Sequence, residues 1–311
     1  MPMKLEYAGI NTLLQPPFEG KVIREDETYI WRVDRFGCTL REFKHQMTMP
    51  EWIDFPVKTA TDLERILTER FDSSALHDRL PGDLEKKLAL WQNGNFDKVL
   101  YLDGGCYYGT LRNMAGVENA SLLLYDSPQL CEELFERINY YCMEGLKRVL
   151  PKLKVNYLGF GEDIAYRFGP LVSPEMIRGM IVPHYKKVTE YARRFGVDIT
   201  WYDSDGDLRL ILDDLLGAGI NCFAPLEIAA DMDPVRLREK YGRKIRLIGG
   251  IDKRKVAEGR DAIRQVFRDT VRPLLDQGGY LPAIDHSVSA DISWDNYRIF
   301  VDELVAAAEN V

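Results

Sequence analysis

The stretch Trp201-Tyr-Asp-Ser-Asp-Gly-Asp207, which follows Val197-Asp-Ile-Thr200, reads as the end of a strand running into a loop. Asp203, Asp205 and Asp207 stand at every second position there. In an extended segment alternate side chains point the same way, so the three carboxylates are expected to converge. Converging carboxylates repel one another, and a cation, a proton or a basic partner must offset that repulsion. The plainer use of the same residues is local: Asp205 or Asp207 caps the next helix.

Working outward, short apolar runs that end in an acid recur. Lys98-Val-Leu-Tyr-Leu102 leads to Asp103, and Asn156-Tyr-Leu-Gly-Phe160 leads to Glu162 and Asp163. Cys222-Phe-Ala-Pro-Leu226 leads to Glu227, Ile245-Arg-Leu-Ile248 to Asp252, and Tyr280-Leu-Pro-Ala-Ile284 to Asp285 and His286. Helical patterns fill the intervals at 127–150, 173–195, 208–216, 234–241, 262–276 and 294–308. Strand followed by helix, repeated this often, implies a parallel sheet with helical crossovers. No Gly-x-Gly-x-x-Gly opens a helix, which argues against a dinucleotide fold. An open sheet gathers its polar residues at one switch point, whereas a barrel spreads them round the C-terminal ends of its strands. The expectation is therefore α/β, a (β/α)8 TIM barrel over 61–311 with an N-terminal β-hairpin elaboration over 1–60, one structural domain overall. The hairpin is read at 20–33 and continued to 38, an aromatic connector at 49–56, and a helix start at the capping box Thr61-Asp-Leu-Glu64.

Composition narrows the partners. The chain has 311 residues, 46% hydrophobic and 29% charged, with a net charge of -8 and no basic block. That speaks against nucleic acid and against an anionic membrane surface. Its cysteines (Cys38, Cys106, Cys131, Cys142 and Cys222) are odd in number and scattered, as in a reducing compartment. No apolar run reaches the roughly 20 residues a membrane span needs, and no signal-peptide core is visible at Met1-Pro-Met-Lys-Leu-Glu. A cytoplasmic protein is expected.

Among single residues, His286 follows an acid at a strand end and suits a proton carrier or ligand near neutral pH. Glu227 and Asp205 are further catalytic candidates. Glu162 and Asp163 are candidates to orient a substrate, or else to pair with Arg167 as a structural ion pair. Tyr107 and Arg112, with Tyr108, are candidate pocket walls. Tyr280, like Trp52 and Trp201, reads as core or as a platform for an aromatic substrate, and Asp252 is a further strand-end contact. His45, His77 and His184 read as structural or surface groups, and Cys106 as a small buried residue.

Taken as an ordered set, several of these pieces resemble the uroporphyrinogen decarboxylase superfamily. They are Gly161-Glu-Asp-Ile164 with Gly169-Pro-Leu-Val-Ser-Pro174, Asp203-Ser-Asp-Gly206, Pro225-Leu-Glu227 with Asp231-Met-Asp233, Gly249-Gly-Ile-Asp252, Gly278-Gly-Tyr280 with Asp285-His286, and Asn296-Tyr297. The resemblance covers roughly 97 to the end. It implies a (β/α)8 barrel, usually a homodimer, and one of two chemistries: decarboxylation of porphyrinogen acetates without a cofactor, or methyl transfer with a corrinoid on a separate protein, often with zinc. The decarboxylases' early Arg-Gln-Ala-Gly-Arg and Phe-Ser-Asp motifs are missing here, and an octa-anionic substrate needs a basic cleft.

The methyltransferase branch places a His-x-Cys pair where this chain has Asp203 and Asp205, and a later cysteine where it has His286. The implied metal set is then Asp203, Asp205 and His286, with Glu227 as a fourth, on zinc. Losing thiolates makes such a metal a stronger Lewis acid and suits an oxygen-bound methyl group, such as that of a methyl phenyl ether. A proton from His286 or from a carboxyl of raised pKa such as Glu227 would serve the same end. The acceptor implied is cobalamin, as cob(I)alamin, on a separate corrinoid protein, since no Asp-x-His-x-x-Gly corrinoid motif is present. The alternatives are a carboxy-lyase of the decarboxylase type and a non-catalytic barrel acting as a binding subunit.

Overall fold

A computed structural model of the chain describes residues 5–46, 48–92 and 98–309. They fall into two compact units, Met1–Glu162 with Gly179–Asp198, and Asp163–Arg178 with Ile199–Val311.

The first unit holds β1 (Leu5–Tyr7), β2 (Lys21–Glu25), β3 (Tyr29–Val33), β4 (Thr39–Phe43), β5 (Glu51–Asp54), β6 (Val99–Gly105) and β7 (Tyr157–Gly161). β1 lies parallel to β6, and β6 to β7. The sequence reading did not recognise a strand before the hairpin; β1 is only 3 residues long, too short to show a period. The expected hairpin of β2 and β3 is present and grows into a four-stranded antiparallel sheet in the order β2-β3-β4-β5. β5 occupies what the sequence suggested was a connector. Trp52 and Ile53 favour a pleated surface, and Trp52 lies opposite Leu40 of β4.

Helix Pro128–Val149 packs on β6. Its buried residues Cys131, Phe135, Ile138, Cys142, Leu146 and Val149 recur at steps of three and four, one face of an α-helix. Helix Ala60–Arg70 is capped by Thr59 with Asp62 rather than from Thr61. Helices Leu84–Gln92 and Tyr108–Asp126 complete the set that sequence periodicity did not reveal. Arg79 is 2% exposed. It donates to the carbonyls of Asn11, Leu13 and Arg70 and lies on the Tyr141 ring, tying down the segment after β1.

The second unit holds the small hairpin β8 (Ala165–Tyr166) and β9 (Gly169–Pro170), then β10 (Thr200–Asp203), β11 (Cys222–Ala224), β12 (Arg246–Ile251) and β13 (Tyr280–Ile284). β10 through β13 form a parallel run in chain order. Helices Leu212–Gly217 and Pro234–Tyr241 follow β10 and β11, and helix Trp294–Ala308 follows β13. Asp233 caps the second of these and Ser293 the third. Tyr202, Phe223 and Leu247 are at most 1% exposed and form the strand core.

Strand, helix and parallel strand therefore alternate as the sequence implies. Among the described residues the parallel strands number three in the first unit and four in the second. No helix among the described residues is long and apolar enough to cross a membrane.

Candidate functional site

The site grows from the C-terminal end of β10. Along that strand Thr200 and Tyr202 are buried while Trp201 and Asp203 are half-buried, the two-residue alternation of a pleated strand. Beyond Asp203 the backbone is tied at each step. The Ser204 amide donates to the Ala224 carbonyl at 3.0 Å, and the Ser204 hydroxyl oxygen accepts the Ile164 amide at 3.0 Å. The Asp163 amide donates to the Asp203 carbonyl at 3.5 Å. Asp163 itself sits at φ 46°, the left-handed region, which aspartate tolerates better than most residues.

These ties bring Asp163, Asp203, Asp205 and His286 to one cleft of about 320 Å³. Ala224, Pro225, Ile248, Gly249, Ala283, Ile284 and Ser287 complete its lining. Carboxylates and an imidazole thus stand over a mostly apolar floor. Nε2 of His286 is 3.1 Å from Oδ2 of Asp205. Burial, then the charges of Asp163 and Asp205, push the Asp203 carboxyl up to about 6, and His286 opposes them. Such an acid is partly protonated near neutral pH and can deliver a proton.

Asp207 does not join its two neighbours. Gly206 lies at φ 85°, so the chain is no longer extended and the every-second-residue rule lapses after Asp205. Asp207 turns instead to Arg209, accepting from its amide at 2.9 Å and from its guanidinium at 2.9 and 2.8 Å. Its own burial opposes the charge, and the Arg209 hydrogen bonds override that and lower its pKa.

The other strand-end acids serve the backbone. Glu162 is 1% exposed, in the first unit, and accepts from the amides of Tyr107 and Gly109 and the hydroxyl of Tyr185, each at 2.8 Å. Burial raises it to about 7 against those three bonds and the Arg112 charge. Tyr107 is wholly buried, stacked on His184, and its hydroxyl accepts from Asn139 at 3.0 Å. Arg112 is half-buried in helix Tyr108–Asp126 and donates to Asn113 at 3.3 Å.

Glu162 and Tyr107 thus form a buried clamp, where the sequence suggested for Glu162 a substrate contact or an ion pair with Arg167 and for Tyr107 a pocket wall. Asp103 accepts from Thr12 and from the Gly105 amide. In the second unit Asp252 caps helix Lys253–Glu258 and pairs with Arg254. Asp285 accepts the amides of Ile228 and Lys253, both at 3.1 Å, stapling two loops. Tyr280 is 8% exposed and donates to the Gly249 carbonyl, a core role. Glu227 accepts the Gly206 amide at 3.2 Å. It supports the acidic loop from behind and does not line the cleft.

The zinc set Asp203, Asp205, His286 and Glu227 does not assemble as expected. Among the described residues no three His, Cys, Asp or Glu side chains are grouped so as to hold a metal ion. Glu227 is directed to Gly206, and Asp205 is directed to His286. Pro225 and Ser287 are lining residues the sequence reading missed. Their sequence signals are the motif Pro225-Leu-Glu227 and, for Ser287, its place beside His286.

No family model matches the sequence, and no curated protein matches it. Among solved structures, a methyltransferase from Methanosarcina mazei matches with a TM-score of 0.52 and 14% identity, over 88% of this chain and 76% of that one. At that identity the likeness shows the fold alone.

Proposed function

We propose that this chain is a methyltransferase of the uroporphyrinogen decarboxylase superfamily, built as a closed (β/α)8 barrel. It moves a methyl group from a small O- or N-methyl donor, such as a methyl phenyl ether, to cob(I)alamin held by a separate corrinoid protein. The ordered motifs from Gly161 to Tyr297 support the family, and the likeness to a solved methyltransferase supports the fold. The observation that carries the chemistry is the meeting of Asp163, Asp203, Asp205 and His286 in one cleft at the ends of parallel strands.

The acceptor's cobalt is a strong nucleophile, so the protein's task is to improve the leaving group. As the methyl carbon bonds to cobalt, its bond to oxygen breaks and that electron pair stays on oxygen. Asp203, held partly protonated by burial and by Asp163 and Asp205, gives the oxygen its proton. His286, hydrogen-bonded to Asp205, sets the charge facing Asp203 and returns the proton from solvent. The apolar floor of Ile248, Ala283 and Ile284 takes the donor's carbon skeleton.

The test is anaerobic incubation of the protein with cob(I)alamin and a panel of methyl phenyl ethers and methylamines, following loss of the cob(I)alamin absorbance. Methylation that requires the protein and is lost in Asp203→Asn supports the proposal. No methylation with any donor, together with release of carbon dioxide from a porphyrinogen, would replace it with the carboxy-lyase. Metal analysis of the same preparation tests the zinc expectation. Stoichiometric zinc, lost in Asp203→Asn and His286→Ala, would mean that a Lewis acid, rather than a proton from Asp203, activates the leaving group.

A further inference from the structure

A second cavity, of about 220 Å³, opens in the same unit between the β8–β9 hairpin tip, the loop after β10 and the turn Ile228–Ala230. Its wall carries two arginines and two aspartates: Arg167, Arg209, Asp207 and Asp231. Asp207 and Arg209 satisfy each other through a two-pronged contact at 2.9 and 2.8 Å, as a fork-shaped guanidinium and a carboxylate do. Arg167 and the largely exposed Asp231 carry the charges that this two-pronged pair leaves over, Asp231 being only partly used by Arg209. Arg167 makes no ion pair among the described residues; its guanidinium rests 5.4 Å from the ring centre of Phe168, its neighbour on the hairpin tip. Asp231 is 68% exposed and meets Arg209 at a single 3.3 Å contact. It sits at φ 60°, stabilised by its amide's bond to the Ile228 carbonyl. Arg167 and Asp231 face one cavity without closing on each other, and Ala229 and Ala230 complete its lining.

We propose that this cavity is a binding site for a small amino-acid zwitterion, separate from the acidic cleft. The ligand carboxylate takes the guanidinium of Arg167, its ammonium takes the carboxylate of Asp231, and its carbon atoms lie against Ala229, Ala230 and the exposed Phe168 ring. A simple anion meets Asp207 and Asp231 as well as the arginines, and a simple cation meets the reverse. A ligand carrying both charges matches Arg167 and the exposed, singly contacted Asp231 together. The site adjoins the acidic loop: Asp207 and Arg209 line it while Asp205 lines the cleft. Occupancy therefore bears on the strand end that presents Asp203 and Asp205.

The experiment is ligand-observed NMR and calorimetry on the full chain with glycine and L-alanine. Acetate and methylammonium serve as the two half-ligands. Glycine or alanine is expected to bind, with each half-ligand weaker by about tenfold or more. Binding is expected to vanish in Arg167→Gln and in Asp231→Asn and to persist in Asp203→Asn. Both variants are exposed, and asparagine accepts the left-handed backbone at 231, so folding is preserved and checked by the unchanged thermal midpoint. Acetate binding as tightly as glycine would reduce the site to a plain anion site and overturn the proposal. So would binding unaffected by the two variants, or binding lost in Asp203→Asn, which would place the ligand in the cleft. No binding of either amino acid would overturn it as well.

Discussion

Nε2 of His286 lies 3.1 Å from Oδ2 of Asp205, joining the loop after β13 to the loop after β10 across 81 positions of sequence. Both side chains are substantially exposed, 39% and 44%, and exposed pairs add at most about 1 kcal/mol to stability. The pair therefore adds little to the fold, and the proposed function gives it a role in chemistry. His286→Ala and Asp205→Asn should each lower methyl transfer by about a hundredfold or more. Their thermal midpoints should stay close to that of the native chain. A large fall in midpoint with modest loss of activity would assign the pair to the scaffold.

Asp203 gives a pH signature with a definite sign. Its folded pKa, about 6, lies above the ordinary carboxylate value, so the folded state holds the proton more tightly than the unfolded chain. That contribution to stability is complete below the unfolded value and is lost as pH rises through about 6. Asp203→Asn should therefore stabilise the protein at pH 8, by about 1–2 kcal/mol once the roughly 3 kcal/mol of the shift is discounted for solvent screening of a part-exposed group, and much less at pH 4. Activity should fall in the same variant at every pH. Denaturant melts at the two pH values decide the point, and an equal effect at both would refute the raised pKa.

Glu162 offers a contrast. Its two oxygens accept three hydrogen bonds from Tyr107, Gly109 and Tyr185. Glutamine keeps one acceptor oxygen but turns its amide N–H group toward the backbone N–H of Tyr107 or of Gly109, which then lacks an acceptor. Glu162→Gln is expected to cost about 1–3 kcal/mol, seen as a lower denaturation midpoint. Tyr185→Phe removes one donor and should cost less. Unchanged stability in Glu162→Gln would mean that the clamp is not formed.

Gly206 tests the loop itself. A Cβ there would stand 2.6 Å from backbone atoms of Tyr166, and φ is 85°. Gly206→Ala is expected to destabilise by about 1–3 kcal/mol from the backbone conformation alone, with the contact adding to it. Because the same loop carries Asp205, methyl transfer should fall more steeply than stability. A crystal structure of the variant would show the β8–β9 hairpin displaced.

Much of the frame was legible because its signals are periodic. The stripe from Cys131 to Val149 and the apolar runs of β10 to β13 announce their elements without help. β1 was invisible because 3 residues carry no period, and its pairing with β6 spans some ninety positions. At the site, the reading of Asp203, Asp205 and His286 as neighbours agrees with the cleft. It went too far with Asp207, because a left-handed glycine cancels the alternation on which convergence depends. It also read the row of strand-end acids as the mark of a barrel mouth and placed Glu162 and Asp252 among the candidate substrate contacts. Asp103, Glu162, Asp252 and Asp285 instead answer amides left bare where strands give way to loops and helices. Nothing in one sequence separates an acid facing a ligand from an acid facing the backbone.

Glu162 and Asp163 make the same distinction across a single peptide bond. The first is buried beneath amides, and the second lines the cleft from a left-handed backbone. Exchanging their order would preserve charge, composition and length, and substitution tables score the two residues as near-synonyms. The shorter side chain would then fall short of Tyr185, and the longer one would crowd the cleft beside Asp203. Two letters that alignment treats as interchangeable are, at this junction, a word with one spelling.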